Sequence, residues 1–345
     1  MRAVVLHGAD LDVVELPDPS PAPDQVLVAP LYTGICGSDL HMHEVLTSLV
    51  AMPELLPGPI VPGHEFAGEV VAVGSAVGSG IKVGDLVAGL PFSHGPNGFE
   101  NIGVGESRSG ALAELLTVDA ERTFILPEGL PAQLGALCEP LAVSLHAFGL
   151  ASEGGPVVVL GAGPVGLGVI ALAAAAGRFV VAVDPSPERR AMAEKLGATR
   201  VLPPGTPIVE AIDGSGFRPS PVSPLLDGDP ERLTIIECAG RPDVVQTAIN
   251  EAPTHSQIVL AGACPHDVSV GALNATLNEV SIVFSFAYRH SEFGQALRLL
   301  ADEPDRWSQM ITDRRPLEQT KSAFRDLATN PSHLKILIQP NQPSC

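Results

Sequence analysis

The feature that most constrains this chain is the run Gly161-Ala162-Gly163-Pro164-Val165-Gly166, which has the form G-x-G-x-x-G. It follows the apolar run Val157–Leu160 and opens an apolar segment, Val165–Ala176, whose composition predicts a helix. A second apolar run, Phe179–Val183, leads directly to Asp184. A strand, a glycine turn, a helix and a strand that ends at an acidic residue are together the fingerprint of a dinucleotide-binding unit.

Each residue of the glycine run has a physical role in that fingerprint. Gly161 permits the tight turn from strand to helix, Gly163 lets a pyrophosphate approach the backbone, and Gly166 lets the helix pack closely on the sheet. Pro164 and Val165 begin the helix, whose amino end offers unpaired N–H groups and the positive end of its dipole to phosphate oxygens. We therefore predict that this run binds the pyrophosphate of a dinucleotide.

The acidic residue after the second strand predicts which dinucleotide binds. The Asp184 carboxylate would accept hydrogen bonds from the adenosine ribose hydroxyls, whereas a 2′-phosphate would meet a like charge there. Arg189, slightly further along, could reach the ribose or could equally be a solvated helix residue. The sequence therefore predicts NAD rather than NADP as the cofactor.

The rest of the chain predicts two domains of different character. As far as about Thr123, short β-like runs are separated by turn residues and helical periodicity is scarce, which predicts an irregular, barrel-like β domain. From Pro156 onward apolar strands alternate with helices, which predicts a doubly wound α/β domain with a parallel sheet. We place the first domain at residues 1–150, completed by 290–345, and the nucleotide-binding domain at 151–289.

Composition excludes several classes of partner. The net charge of −19 argues against nucleic acid or an anionic membrane surface, because both need basic patches. The 5 scattered cysteines form no disulfide framework, which is typical of a reducing cytoplasm. The uncharged stretch from Gly154 to Gly177 is interrupted by Pro164 and several glycines, so we do not predict a membrane span. We expect a cytoplasmic protein that acts on a small molecule.

Three short segments of the first domain carry side chains that can bind a metal ion. They are Gly34–His41, which contains Cys36, then Pro62-Gly63-His64-Glu65, and then Cys138-Glu139-Pro140. Each has an ordinary explanation by itself, because a lone cysteine is usually a small buried side chain and a glutamate before proline often begins a helix. Thiolate, imidazole and carboxylate together are ligands that suit Zn²⁺.

The order of these segments, followed by the glycine run, resembles the zinc-dependent medium-chain dehydrogenases. The segment Cys138-Glu139-Pro140-Leu141 is similar to the polyol, threonine and butanediol branch of that superfamily. The resemblance extends from Met1 to about Gln339 and includes Gly110–Glu114 and Glu237–Gly240. It implies an α/β protein with a GroES-like, irregular β-barrel catalytic domain and a Rossmann domain, which is a doubly wound parallel sheet.

The resemblance also implies a ligand set for one catalytic zinc ion per chain. The ligands would be Cys36, His64 and Glu139, with the fourth position open to water or substrate. Glu65 would take part in catalysis as an alternate ligand or from just outside the coordination shell, since neighbouring strand residues face opposite ways. Cys138 is the rival for the third position, and it ranks below Glu139 because the family has its ligand directly before the proline.

Further roles follow from the same resemblance. Asp39 would hold the second ring nitrogen of His64 and so fix its tautomer. Ser38 would contact the alcohol oxygen and pass its proton outward, with His41 as the end of the relay. Many relatives bind a structural zinc ion through four cysteines in the region that matches Leu90–Ser109, and this region contains no cysteine. We therefore expect no structural zinc.

These residues predict an enzyme that transfers hydride. We expect it to oxidise an alcohol, with a secondary alcohol, diol or polyol favoured, because bound zinc lowers the pKa of the alcohol and NAD accepts the hydride. The first alternative is a zinc-free, NADPH-dependent quinone or enone reductase of the same superfamily. The second is a non-catalytic nucleotide-binding regulatory protein. We also expect a homodimer or homotetramer, with the apolar run Ser281–Phe284 as an edge strand at the subunit interface.

Overall fold

Strands dominate the first part of the chain, and strands alternate with helices in the second. The computed structural model describes residues 1–52, 55, 57–95, 98–105, 109–218, 231–264 and 266–341. The chain divides into unit 1, Met1–Glu139 with Phe293–Cys345, and unit 2, Pro140–Glu292. The boundaries between the units lie inside two helices, Cys138–Gly149 and His290–Asp302. The sequence predicts the first boundary after residue 150, past the end of the first helix, and the second at residue 290, where the second helix begins.

The described elements are numbered in chain order. The strands are β1 (Arg2–His7), β2 (Asp10–Glu15), β3 (Gln25–Gly34), β4 (Glu65–Val73), β5 (Leu86–Gly89), β6 (Phe92–Gly95), β7 (Gly98–Asn101), β8 (Leu116–Asp119), β9 (Thr123–Ile125), β10 (Val157–Leu160), β11 (Val180–Val183), β12 (Arg200–Leu202), β13 (Thr234–Glu237), β14 (Gln257–Leu260), β15 (Ser281–Phe284), β16 (Ile311–Pro316) and β17 (Lys335–Gln339). The helices are α1 (Gly37–Ser48), α2 (Ala132–Gly135), α3 (Cys138–Gly149), α4 (Pro164–Ala175), α5 (Pro187–Lys195), α6 (Ile208–Ala211), α7 (Pro242–Glu251), α8 (Ala272–Leu277), α9 (His290–Asp302), α10 (Pro304–Ser308) and α11 (Thr320–Thr329), with short 3-10 turns at Leu49–Ala51, Ala120–Arg122 and Leu317–Gln319. None of the described helices is long and apolar enough to cross a membrane.

A parallel sheet forms the centre of unit 2. Its strand order is β12-β11-β10-β13-β14-β15, and every neighbouring pair is parallel. The central strands are buried along their whole length, as parallel strands covered on both faces are, and no residue of Val157–Leu160 is more than 5% exposed. The doubly wound sheet predicted from the alternation of strands and helices is therefore confirmed.

Antiparallel pairing dominates unit 1. The long strand β3 pairs antiparallel with β4, β8 and β17, within a sheet of order β16-β17-β3-β4-β5-β9. Register shifts at Leu27/Val28 and Pro30/Tyr32 interrupt the ladder between β3 and β4, and such bulges bend a sheet. Separate two-stranded ribbons are formed by β1–β2 and by β6–β7. This is the irregular β domain that the turn-rich sequence predicts.

Helix α1 is an element that the scarcity of helical periodicity in this region did not predict. The helix begins directly after Cys36, and the Asp39 carboxylate accepts a hydrogen bond from the Cys36 N–H at 2.9 Å. Within it only Asp39 and Leu46 are buried, so there is little apolar stripe to detect. A local side-chain cap, rather than an amphipathic pattern, starts this helix.

A buried carboxylate helps to hold strand β6 against the rest of unit 1. Asp119, at the end of β8, accepts hydrogen bonds from the Ser93 hydroxyl (2.6 Å), the His94 N–H (2.9 Å) and the Gln25 amide (3.1 Å). Burial alone would raise the pKa of the Asp119 carboxyl, but these hydrogen bonds outweigh it and hold the pKa below its ordinary value. Ionised Asp119 therefore anchors β6 to β8 and β3.

Replacing Asp119 by asparagine tests this anchor. We expect Asp119→Asn to lower the free energy of unfolding at neutral pH by about 1–3 kcal/mol, because an amide group would face buried donors. Ionised Asp119 stabilises the fold above the unfolded-state pKa of about 3.9, and that stabilisation is lost as pH falls through the lower folded-state pKa. Urea unfolding between pH 7 and acid should therefore show a shallower loss of stability in the variant.

The matched control is Asp302→Asn, which changes an exposed aspartate at the end of α9. It should leave the free energy of unfolding almost unchanged at every pH. If Asp119→Asn and the control lose stability on acidification exactly as the wild type does, Asp119 is not the anchor.

Candidate active site

The first turn of α1 and the residues before β4 bring together side chains that the sequence singled out. The Ser38 hydroxyl oxygen lies 3.3 Å from His64 Nε2. On the other side of the ring, His64 Nδ1 lies 3.4 Å from Asp39 Oδ1. His64 and Asp39 are 7% and 1% exposed, so water does not compete for this contact. The Asp39 carboxylate therefore lies beside Nδ1 of the ring, and the Ser38 hydroxyl lies beside Nε2.

The electrostatics around His64 favour positive charge. Burial alone would lower the pKa of the His64 imidazole, but the Asp39 carboxylate and the Cys36 sulfur raise it well above its ordinary value. The buried atoms Asp39 Oδ1 and His64 Nδ1 have no hydrogen-bond partner within the described residues, since their separation is longer than a good hydrogen bond. The site is therefore a buried place where a cation is stabilised.

Glu65 is paired with a lysine that the sequence analysis did not identify. Lys335 Nζ donates to both carboxylate oxygens of Glu65, at 2.7 and 2.6 Å, and to the Ile35 carbonyl at 2.9 Å. Both charged side chains are almost completely buried. Burial alone would lower the pKa of the Lys335 ammonium, but the Glu65 charge and weaker charges at Cys36 and Glu139 raise it. Glu65 is thus an ion-pair partner here, with both oxygens engaged.

The two rivals for the third ligand position lie at the start of α3. Glu139 is 9% exposed and close enough to Lys335 to affect its pKa. The Cys138 thiol is fully buried and donates to the Phe293 carbonyl, with sulfur and oxygen 3.3 Å apart. Burial and the neighbouring Glu139 raise the pKa of Cys138 well above its ordinary value. Because the Cys138 thiol is already engaged with a main-chain carbonyl, the geometry favours Glu139 over Cys138.

The donor chemistry of these residues fits a zinc ion. Cys36 and His64 offer sulfur and nitrogen, and Glu139 offers carboxylate oxygen in the same unit, near the ammonium of Lys335. Asp39 orients the imidazole in the way that carboxylates orient metal-binding histidines. Across the described ranges, no group of three or more His, Cys, Asp and Glu side chains lies close enough together to hold an ion. The complete ligand set therefore stays a prediction.

His41 lies one turn beyond Ser38 on α1. Its Nδ1 is 3.9 Å from Glu44 Oε2, and its side chain is 44% exposed. Ser38 is also exposed. A proton that leaves Ser38 therefore has solvent-accessible groups beside it, and the relay role of His41 stays a prediction.

The glycine turn of unit 2 has the shape that phosphate binding requires. Gly161 has φ +99°, a left-handed conformation that side chains other than glycine rarely adopt. A Cβ at Gly166 would lie 1.9 Å from the Gly161 carbonyl oxygen, so this helix can approach the strand only with glycine there. A Cβ at Gly163 would meet nothing within 4 Å, which leaves space for a ligand at the helix start. Helix α4 spans Pro164–Ala175, one residue earlier at each end than the predicted Val165–Ala176.

Asp184 orders the backbone of the same region. Its carboxylate accepts the Ala162 N–H at 2.8 Å and the Ser186 N–H at 2.8 Å, one on each oxygen. Asp184 is 3% exposed. The negative charge after β11 is therefore held rigidly beside the glycine turn, where the fingerprint has the ribose-binding acid. Its role toward a ribose stays a prediction.

Two arginines follow Asp184 on α5. The Arg189 N–H donates to the Ser186 hydroxyl at 3.1 Å, which is the predicted N-cap of the helix, and the buried Arg189 Nε has no hydrogen-bond partner among the described residues. Arg190, which the sequence analysis did not single out, donates from Nη1 to the carbonyls of Asp184 (2.6 Å) and Pro185 (2.9 Å). Arg190 thus fixes the turn, and Arg189 keeps a donor available.

Two family models match the chain. The model described as an alcohol dehydrogenase GroES-like domain matches residues 22–128, and the one described as a zinc-binding dehydrogenase matches residues 164–302. The first match lies in unit 1, and the second begins at Pro164, the first residue of α4, and covers five strands of the parallel sheet, β11 to β15. The predicted pairing of a GroES-like domain with a Rossmann domain is therefore confirmed.

Proteins described as dehydrogenases are similar over almost the whole chain. The (R,R)-butanediol dehydrogenase of Bacillus subtilis is 31% identical over 99% of this chain and 100% of its own length. The sorbitol dehydrogenase of Mus musculus is 31% identical over 98% of this chain and 95% of its own. A Sinorhizobium meliloti protein described as a zinc-binding dehydrogenase, solved with NADP bound, has 29% identity and a TM-score of 0.79, with 98% and 99% of the two chains covered.

The Lys335–Glu65 pair generates a stability prediction. Lys335→Met should lower the free energy of unfolding by about 3–5 kcal/mol, because it leaves the Glu65 carboxylate buried without a counter-charge. Urea unfolding followed by circular dichroism measures this change. The double variant Lys335→Met/Glu65→Leu should recover most of the lost stability, since apolar side chains replace both charges. A single variant that unfolds at the wild-type urea concentration would show that the pair does not stabilise the fold.

Proposed function

The chain belongs to the zinc-dependent medium-chain dehydrogenase family, similar to its sorbitol and butanediol dehydrogenases, and we propose that it transfers hydride between an alcohol and NAD. The substrate class we favour is a secondary alcohol, a diol or a polyol, as the names of these relatives suggest. The observation that carries the proposal is the contact between Ser38 Oγ and His64 Nε2 at 3.3 Å. It joins a hydroxyl that can move a proton to a nitrogen that can bind a metal.

Cys36, His64 and Glu139 would hold the zinc ion, which when bound supplies a Lewis acid that lowers the pKa of an alcohol. Ser38 then binds the alcohol oxygen, accepts its proton on the hydroxyl oxygen and gives up its own proton outward. His41, exposed on the same helix, is the group we propose to receive that proton. Asp39 lies beside Nδ1 of His64, and Glu65, the proposed alternate ligand, is paired with Lys335.

For the cofactor we propose NAD over NADP. The rigidly held Asp184 carboxylate supports this choice, because its charge would repel a 2′-phosphate on the adenosine ribose. The relative from Sinorhizobium meliloti was solved with NADP, so the preference varies among similar proteins. In this chain, the feature that would favour NADP is the Arg189 Nε–H, which has no hydrogen-bond partner among the described residues and can donate to a 2′-phosphate.

For the assembly we propose a dimer or tetramer formed through the edge of the parallel sheet. Strand β15 is the last strand of that sheet and its Phe284 is 78% exposed. Phe286 (82%), Leu273 (75%) and Leu277 (69%) are also exposed nearby in the sequence. Large exposed apolar side chains next to an unpaired strand edge are typical of a surface that a second copy covers.

Metal analysis tests the proposed ligands. Protein purified from zinc-supplemented cells should contain about one zinc ion per chain by mass spectrometry, because a catalytic site holds a single ion. Cys36→Ser should lose this zinc, since it removes the only proposed thiolate ligand. Cys264→Ser, in a loop of unit 2, is the matched control and should keep it.

A further variant, Cys138→Ser, separates the two rivals for the third position. We expect it to keep zinc, while Glu139→Gln weakens zinc retention during dialysis against a chelator. Loss of zinc from Cys138→Ser with full retention in Glu139→Gln would reverse our assignment, and retention in Cys36→Ser would contradict the site.

Kinetics test the proton role of Ser38. Ser38→Ala should lower kcat for alcohol oxidation by about 10²–10⁴-fold, the usual contribution of a positioned proton acceptor. Its zinc content and its affinity for NADH should remain at wild-type levels, because no ligand is removed. Ser48→Ala, in the last turn of α1, is the control, since this hydroxyl donates only to the Val45 carbonyl in its own helix. Equal rates for the two variants would exclude Ser38 from the reaction.

A further inference from the structure

The parallel sheet has one point where a ligand-binding crevice must open. Strands β10 and β13 are neighbours at the centre of the sheet. After β10 the chain continues through β11 and β12 to one edge, and after β13 it continues through β14 and β15 to the opposite edge. Ligands bind outside the carboxyl ends of the strands at such a topological switch point. Glu237 is the last residue of β13, lies opposite Leu160 of β10, and is 0% exposed.

One oxygen of Glu237 holds the loop that follows β13. Oε1 accepts the Ala239 N–H at 2.7 Å and the Gly240 N–H at 2.8 Å. Two hydrogen bonds to an ionised acceptor are stronger than bonds to a neutral one, so the conformation of residues 238–240 depends on this carboxylate. Because this loop leaves β13 at the switch point, it borders the crevice.

The same carboxylate lies where three loops meet. A Cβ built on Gly161, in the phosphate turn, would lie 3.0 Å from the Ala239 nitrogen. A Cβ built on Gly262, after β14, would lie 2.2 Å from the Gly240 nitrogen and 2.6 Å from Glu237 Oε2. The turns after β10, β13 and β14 therefore pack directly on one another around Glu237. Of these turns, the one after β13 bonds directly to the Glu237 side chain.

The second carboxylate oxygen of Glu237 indicates that this residue does more than stabilise the fold. Oε2 is buried and has no hydrogen-bond partner in the described part of the chain. Burial raises the pKa of the Glu237 carboxyl, although the N–H groups of Ala239, Gly240 and Gly262 oppose this. A buried charged group with an unused acceptor costs free energy, and groups that cost stability in this way cluster at functional sites.

We propose that Glu237 is a positioning residue for the nicotinamide half of the dinucleotide, acting through the loop 238–240. The inference rests on the proposed function, since it needs a bound nicotinamide cofactor. Asp184 follows β11, on one side of the phosphate turn, and is the acid that the fingerprint assigns to the adenosine ribose. Glu237 lies on the opposite side, so the loop it holds faces the other half of the cofactor.

The test compares two ligands that share the adenosine half. Dissociation constants for NADH and for ADP-ribose, which lacks the nicotinamide ring, are measured by calorimetry on zinc-replete protein. We expect Glu237→Gln to bind NADH about tenfold more weakly, since small positional errors at a reacting group are costly, and to bind ADP-ribose like the wild type. The melting temperature should not fall, because the buried charge is removed. Glu251→Gln, an exposed glutamate at the end of α7, is the control and should change neither affinity.

A second variant keeps the test decisive if the glutamine preserves the loop. Glu237→Ala removes both acceptor atoms and should increase the NADH dissociation constant further, again with ADP-ribose affinity retained. Unchanged NADH affinity in both variants would overturn the inference, and so would an equal loss for the two ligands, which is the signature of general damage. If the wild type binds neither ligand, the proposed function itself fails, and the inference fails with it.

Discussion

The buried pair of Lys335 and Glu65 is the interaction on which the candidate metal site depends. Lys335 belongs to the last strand of unit 1, and its ammonium bonds to Glu65 and to the Ile35 carbonyl. Each of these residues is the neighbour of a proposed ligand, because His64 precedes Glu65 and Cys36 follows Ile35. One side chain thus holds both ligand segments from a position hundreds of residues away. A buried pair of this kind adds little stability over apolar side chains of similar size, whereas removing one partner costs several kcal/mol because the other charge stays buried.

The cofactor side is organised by backbone packing rather than by an ion pair. Gly161 and Gly166 let the first strand, the turn and α4 approach closely, and Asp184 holds the turn from the next strand. Glu237 does the same from the other side of the switch point. Two buried carboxylates therefore flank the phosphate turn and bond mainly to backbone N–H groups. That arrangement makes the loops rigid before a ligand arrives, which reduces the entropy cost of binding.

The parts of the fold that could be predicted from the sequence are those with local signals. The run Val157–Leu160, the glycine turn and the Ser186 cap of α5 each carry their own explanation within a few residues, and each is found as predicted. Helix α1 has little apolar stripe, so the sequence did not predict it. Asp39, whose carboxylate accepts the N–H of Cys36 at the start of this helix, was identified only as a partner of His64.

Other residues escaped prediction because their partners are far away in the sequence. In the sequence Lys335 is an ordinary basic residue within a predicted strand, Leu334–Ile338, and nothing near it indicates a buried carboxylate 270 positions earlier. Asp119 and Glu237 are similar, since an acidic residue at a strand end is usually solvated. Composition could not identify them, because burial is a property of the assembled sheet. The candidate ligands Cys36, His64 and Glu139 were found only because their order resembles that of a known family.

The roles proposed for Ser38, the zinc ligands and Asp184 all require that this chain oxidises an alcohol with NAD. The direct measurement is steady-state kinetics of the zinc-replete protein with a panel of secondary alcohols, diols and polyols, followed by the absorbance of the reduced cofactor. We expect alcohol-dependent reduction of NAD, with a higher kcat/KM for NAD than for NADP. Failure to oxidise any alcohol, together with NADPH-dependent reduction of a quinone or enone, would contradict the proposed function.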